Sequence, residues 1–100
     1  CTSSVPCSSL SMANASDGSG WVGLDLSKYL TLLPRDPMHS SGSFIDAAGT
    51  KVNAEYQFAQ SGGDFEIRAH LESANNLVNY TNDGGNNNDY YEVGTKLDIL

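Results

Sequence analysis

Apolar and polar residues alternate most regularly between Ala54 and Glu72. In the second half of that stretch Phe65, Ile67, Ala69 and Leu71 alternate with Glu66, Arg68, His70 and Glu72. A period of two puts the first set on one face of a strand and the charged set on the other, in water. In the first half Tyr56 and Phe58 alternate with Glu55 and Gln57, and Gly62-Gly63 lies between the halves. Two residues free to take positive φ allow the chain to fold back, so the pattern predicts an antiparallel hairpin with strands over 54–60 and 64–72. A lone hairpin is marginal in water, so its apolar face needs a cover.

The remaining pattern is weaker. Asp25 or Ser27 caps a predicted short helix near 24–32, with Leu26, Tyr29, Leu30 and Leu33 on its apolar side and Pro34 as its stop. Residues 33–37 read as a rigid extended link, and a short strand is expected near Phe44 and Ile45. Residues 73–88 read as a long polar loop rich in Asn and Gly, followed by a last strand near 89–98 that is interrupted by Gly94. The expected fold class is therefore α+β: a small antiparallel sheet of three to four strands, centred on the hairpin, with one short helix. Trp21, Tyr56, Phe58, Phe65, Ile67 and Leu71 are its expected core residues. The division expected is a Ser-rich segment over 1–20 and one globular domain over 21–100.

Composition narrows the function. The 100 residues carry a net charge of −7, and the five basic residues are scattered, which argues against binding a nucleic-acid backbone. No apolar run approaches the roughly 20 residues of a membrane span. Cys1 and Cys7 bracket a short loop; either they pair with each other, as suits an oxidising compartment, or Cys1 is unpaired or pairs elsewhere. Asn14-Ala15-Ser16 and Asn79-Tyr80-Thr81 match the glycosylation acceptor triplet, a pattern that chance produces readily in Asn-rich sequence. His39 and His70 show no zinc spacing. No nucleophile elbow and no phosphate loop is present, so the chain does not read as an enzyme.

Four segments, in order, carry a family resemblance. They are Gly-Trp-Val-Gly-Leu-Asp-Leu (20–26), Leu-Pro-Arg-Asp-Pro (33–37), the hairpin ending Ala-His-Leu-Glu-Ser (69–73), and Asn-Asp-Gly-Gly (82–85) followed by Tyr-Tyr-Glu-Val-Gly-Thr (90–95). Over about Gly20 to Leu97 the chain resembles the globular domain of type IV pilin-like proteins, including the pseudopilins of type II secretion. The resemblance implies a structural subunit of an extracellular, cell-surface filament whose partners are other pilin subunits. It also implies a long hydrophobic helix packed under the sheet. No such helix lies in these 100 residues, so the expectation is that it was cut off or is supplied by a separate small pilin chain.

Related pseudopilins hold calcium in the corresponding late loop. Asp83, Asn86, Asn88 and Asp89 are the candidate ligands here, since hard cations take carboxylate and amide oxygens. The competing reading of that loop is a cluster of Asx and Gly turns, with no cofactor required. Two other functions fit parts of the sequence. One is a surface lipoprotein acylated at Cys1; the other is a secreted carbohydrate- or receptor-binding module using exposed Trp21 or tyrosines.

Overall fold

A computed structural model describes residues 1–100 and shows a small α+β domain. Its centre is the predicted hairpin. Strand β4 (Tyr56–Ser61) pairs antiparallel with β5 (Asp64–Ala69), with Phe58 opposite Ile67 and Gln60 opposite Phe65. Gly62 and Gly63, at φ 57° and 88°, form the two-residue loop, as the right-handed twist of the strands favours. β1 (Cys7–Ser8) pairs with β4 on one side, and β6 (Tyr91–Gly94) pairs with β5 on the other. The four strands run in the order β1-β4-β5-β6, and β2 (Ser43–Ile45) and β3 (Lys51–Asn53) form a separate small hairpin.

The Ser-rich start is thus part of the sheet. Cys1 and Cys7 are joined by a disulfide, and the Gln60 N–H donates to the Cys1 carbonyl at 3.0 Å. The bridge ties the first turn to the edge beside Phe58.

The helix expected near 24–32 is absent. Asp25 Oδ1 accepts from both the backbone N–H and the hydroxyl of Ser27, at 3.0 and 2.6 Å, which closes a local Asx turn. Only a single turn at Leu26–Leu30 follows. The segment is held by isolated antiparallel bridges, Ala15 to Leu32 and Asp17 to Asp25, so extended pairing wins over helix propagation. Tyr29 is 81% exposed, and Leu30 and Leu32 are also outside. The helical segment lies instead in the stretch expected to be loop: a 3-10 turn at Ala74–Asn76, capped by Ser73, leads into α1 (Leu77–Thr81). The strands are also shorter than expected at 72, 89 and 98.

The core gathers at one end of the sheet. Trp21, Val22, Leu33 and Phe58 are buried together, with Tyr56, Ile67 and Leu26 packed against them. Trp21 donates its indole N–H to the Pro34 carbonyl at 3.0 Å and meets Tyr56 ring to ring at 5.9 Å. Tyr56, Ile67 and Leu71 are half-buried, and Phe65, an expected core residue, is exposed. The reason is positional. Phe65 sits beside the hairpin tip, away from Trp21 and Leu33, with Phe58 as its ring neighbour at 6.4 Å.

Candidate functional site

The register sorts the sheet into two unlike faces. Tyr56, Phe58, Phe65, Ile67, Ala69, Tyr91 and Val93 share one face, because paired residues in neighbouring strands point the same way. Trp21, Val22 and Leu33 cover only part of it. Phe65 (36%), Tyr91 (37%), Val93 (42%) and the neighbouring Leu24 (47%) stay exposed. Two apolar clefts run side by side on this surface. One, of about 310 Å³, lies between Trp21, Pro34, Tyr56, Leu71, Tyr91 and Val93; the other, of about 210 Å³, lies between Val22, Leu24, Phe58 and Phe65. Ile67 lines both and forms the ridge between them. These partly exposed apolar residues make this surface the candidate site for an apolar partner.

The opposite face departs from expectation. Alternation placed Glu66, Arg68 and His70 in water, yet Glu66 is fully buried and Arg68 and His70 are half-buried. The cover comes from the loop over 82–88, the segment after β6, and Tyr90. Leu100 donates its N–H to Glu66 Oε2 at 3.0 Å, and Asn87 donates its N–H to Glu92 Oε1 at 2.8 Å. Gly85 lies so close that a Cβ there would collide with the Glu92 carboxylate. The Arg68 guanidinium sits 4.0 Å over the Tyr90 ring and donates to Gln57 at 2.6 Å. His70 also stacks on Tyr90, with the two ring centres 4.2 Å apart.

A polar knot joins the small hairpin to α1. The Tyr80 hydroxyl donates to Asp46 Oδ2 at 3.0 Å and accepts the Leu71 N–H at 2.8 Å. Burial raises the Tyr80 hydroxyl to about 12, and the neighbouring Asp46 adds to the rise, so it stays a donor. Asp46 Oδ1 accepts from the N–H groups of Ala48 and Thr50, and His70 Nδ1 lies 3.7 Å from Oδ2. Burial lowers the His70 pKa below its usual value, and Asp46 opposes that shift.

The candidate calcium ligands occupy the covering loop. Asp83 has both oxygens engaged, Oδ1 by the Gly85 N–H and Oδ2 by the Glu92 N–H, each at 2.8 Å. Asn86 and Asn88 are exposed, as is Asp89, whose N–H donates to Asn87 Oδ1. No three His, Cys, Asp or Glu side chains converge as a metal site. Of the two glycosylation candidates, Asn79 is exposed on α1, whereas Asn14 is half-buried beside Ser16, whose hydroxyl is committed to the Thr31 carbonyl.

No family model, curated protein or solved structure matches the chain.

Sequence reasoning missed Glu66, Glu92, Asp46 and Tyr80. The one signal available for the carboxyl pair was a Gly-rich loop shortly before Glu92, since only residues without side chains allow a loop to lie flat on a sheet.

Proposed function

We propose that the chain is the globular part of an extracellular filament subunit of the type IV pilin-like kind, and that its open apolar face seats a hydrophobic helix. The observation that carries this reading is the incompletely covered face around Ile67. A sheet with Phe65, Tyr91, Val93 and Leu24 outward beside two clefts is an interface suited to an apolar partner. A helix fits such a surface, because side chains projecting from one stripe drop into clefts on either side of a ridge. None of the chain's own helices is long and apolar enough to cross a membrane, and α1, at five residues, lies elsewhere. The helix would precede Cys1 in the same polypeptide or come from a separate small subunit, and other subunits would be the chain's partners in the filament.

The disulfide suits export to an oxidising compartment, and the acidic surface suits a solvated filament exterior. Of the alternatives, the lipoprotein reading needs a free Cys1 thiol, and Cys1 is bonded to Cys7. The binding-module reading keeps exposed tyrosines such as Tyr29, while Trp21, at 2% exposed, offers no stacking platform to a sugar. Calcium is not required in this reading.

The test is a titration of the isotope-labelled chain with a detergent-solubilised peptide of the hydrophobic pilin helix, followed by amide NMR. Shifts are expected at Leu24, Phe65, Ile67, Tyr91 and Val93, with Leu77 and Val78 on α1 unmoved. Unmoved groove residues at saturating peptide, or shifts confined to α1, would remove the basis for the proposal.

A further inference from the structure

The two edges of the four-stranded sheet are protected in different ways. At one edge β6 is short and carries Glu92, and the Glu92 N–H donates to Asp83 Oδ2 at 2.8 Å. Beneath the other edge lies β4, Tyr56-Gln57-Phe58-Ala59-Gln60-Ser61, which has no charged residue, no Pro and no Gly. Its neighbour β5, by contrast, carries Asp64, Glu66 and Arg68. An uncharged six-residue strand segment is of the kind that pairs with copies of itself when its edge is open.

What closes that edge is slight. Tyr56, Phe58 and Gln60 turn their backbone groups away from β5, because hydrogen-bonding direction alternates along a strand. Ser9 serves Tyr56: its N–H donates to the Tyr56 carbonyl at 2.9 Å and its hydroxyl accepts the Tyr56 N–H at 2.8 Å. Phe58 is paired with Cys7, and the Gln60 N–H donates to the Cys1 carbonyl at 3.0 Å. Ser8 and Ser9 have anchors of their own, since the Ser8 hydroxyl donates to Glu55 Oε2 at 2.6 Å and Ser9 is fully buried. The residues before them have fewer. Thr2–Val5 are exposed, and Thr2 and Val5 bond each other rather than the sheet. β1 is two residues long, too short to hold an edge by pairing alone. The Cys1–Cys7 bridge keeps Cys1 over Gln60 and Cys7 over Phe58 together.

We propose that this disulfide is a redox-controlled guard of the β4 edge: closed, it keeps Phe58 and Gln60 occupied, and opened, it frees them to pair with the same edge of a second copy of the chain. The pairing is antiparallel about a two-fold axis at Ala59, with Phe58 of each copy facing Gln60 of the other. Ser9 stays in place, so the opening is confined to Phe58–Ser61. It needs an external dithiol. One thiolate of the dithiol attacks a sulfur of the bridge, the S–S bond breaks, and the second thiolate closes the reductant to its own cyclic disulfide. Cys1 and Cys7 are left as thiols, having taken up two electrons and two protons. The net charge of −7 opposes pairing, and salt screens that repulsion, so the paired form gains as ionic strength rises. The surface is the rim of the sheet and not its apolar face, so the guard does not depend on helix docking.

The experiment compares the intact chain, oxidised and reduced with dithiothreitol, by amide hydrogen exchange and by sedimentation velocity over a range of concentrations, from low salt to about 0.15 M. Cys1→Ser combined with Cys7→Ser mimics the open state without thiols. Gln60→Pro removes one outward donor, a change an edge strand tolerates. On reduction, and in the double Ser variant, Phe58 and Gln60 are expected to lose exchange protection while Ile67 keeps it. Both are expected to form dimers that increase with concentration and with salt, whereas the oxidised chain and reduced Gln60→Pro stay monomeric. Protection retained at Phe58 and Gln60 after reduction would overturn the proposal, as would its loss without dimers. Protection lost at Ile67 as well would show that the bridge holds the whole fold and not the edge, and the proposal would fail. Dimers in the reduced chain but not in the double Ser variant would be thiol-linked, which would equally overturn it.

Discussion

Val93→Glu is expected to leave the chain folded and to abolish assembly with the hydrophobic helix. Val93 is 42% exposed on β6, beside Ile67 at the mouth of the larger cleft, so in the free domain a carboxylate there reaches water. Surface substitutions of this kind change stability by about 0.5 kcal/mol or less. Under a docked apolar helix the same carboxylate would be buried without a partner. An uncompensated buried charge costs at least about 3 kcal/mol, or roughly 100-fold or more in affinity. The check is a melting curve of the variant beside an assembly assay with the helix supplied. A variant that assembles as well as wild type would place the helix somewhere other than this face.

Trp21→Ala is expected to do the reverse and attack the fold. Trp21 is 2% exposed, contacts Tyr56, and donates its indole N–H to the Pro34 carbonyl. It belongs to a cluster of only four buried apolar side chains, of which it is the largest. Truncating a buried Trp costs about 3–5 kcal/mol, against a total of about 5–15 kcal/mol for a domain of ordinary stability. The melting temperature should drop by about 12 °C or more. Tyr29→Ala, at a residue 81% exposed, is the control and should change little. Equal melting temperatures for wild type and Trp21→Ala would show that the core is organised around some other residue.

The hairpin was legible because its alternation is strict and its Gly-Gly loop sits where a two-residue turn belongs. The apolar half of that alternation reported the face correctly: Ile67 and Ala69 do align with Phe58 and Tyr56. The charged half misled, because period-two patterning says which residues share a face and not what later covers it. Glu66 reads as solvated until the segment beyond residue 80 folds over it, and that segment is too rich in Asn and Gly to show any period. The segment over 24–32 failed for a local reason. Leu26, Leu30 and Leu33 have helical spacing, but Asp25 and Ser27 bond each other and the bridges to Ala15 and Asp17 offer the backbone another partner. At α1 the signal was present in Ser73 as a cap and in Leu77, Val78 and Tyr80, and the surrounding asparagines masked it. An incompletely covered hairpin was expected, because a lone hairpin needs a cover. The short helix expected to supply part of it does not form, and Trp21, Val22 and Leu33 cover part of the face instead. Its two clefts and the Ile67 ridge required the packing of Trp21 and Leu33.

Filament assembly on the apolar face is tested most directly by electron microscopy of the purified chain, alone and with a hydrophobic pilin helix fused before Cys1 or added as a separate small subunit. Alone, the chain is expected to remain a monomer or weak oligomer, because no helix of its own is long and apolar enough to build a filament core and its net charge of −7 makes copies repel at low salt. With the helix present, filaments are expected, with a core of packed helices and this domain outside, its Phe65, Ile67 and Val93 face turned inward. Filaments built from the 100 residues without any added helix would contradict that picture, as would filaments in which the groove faces solvent.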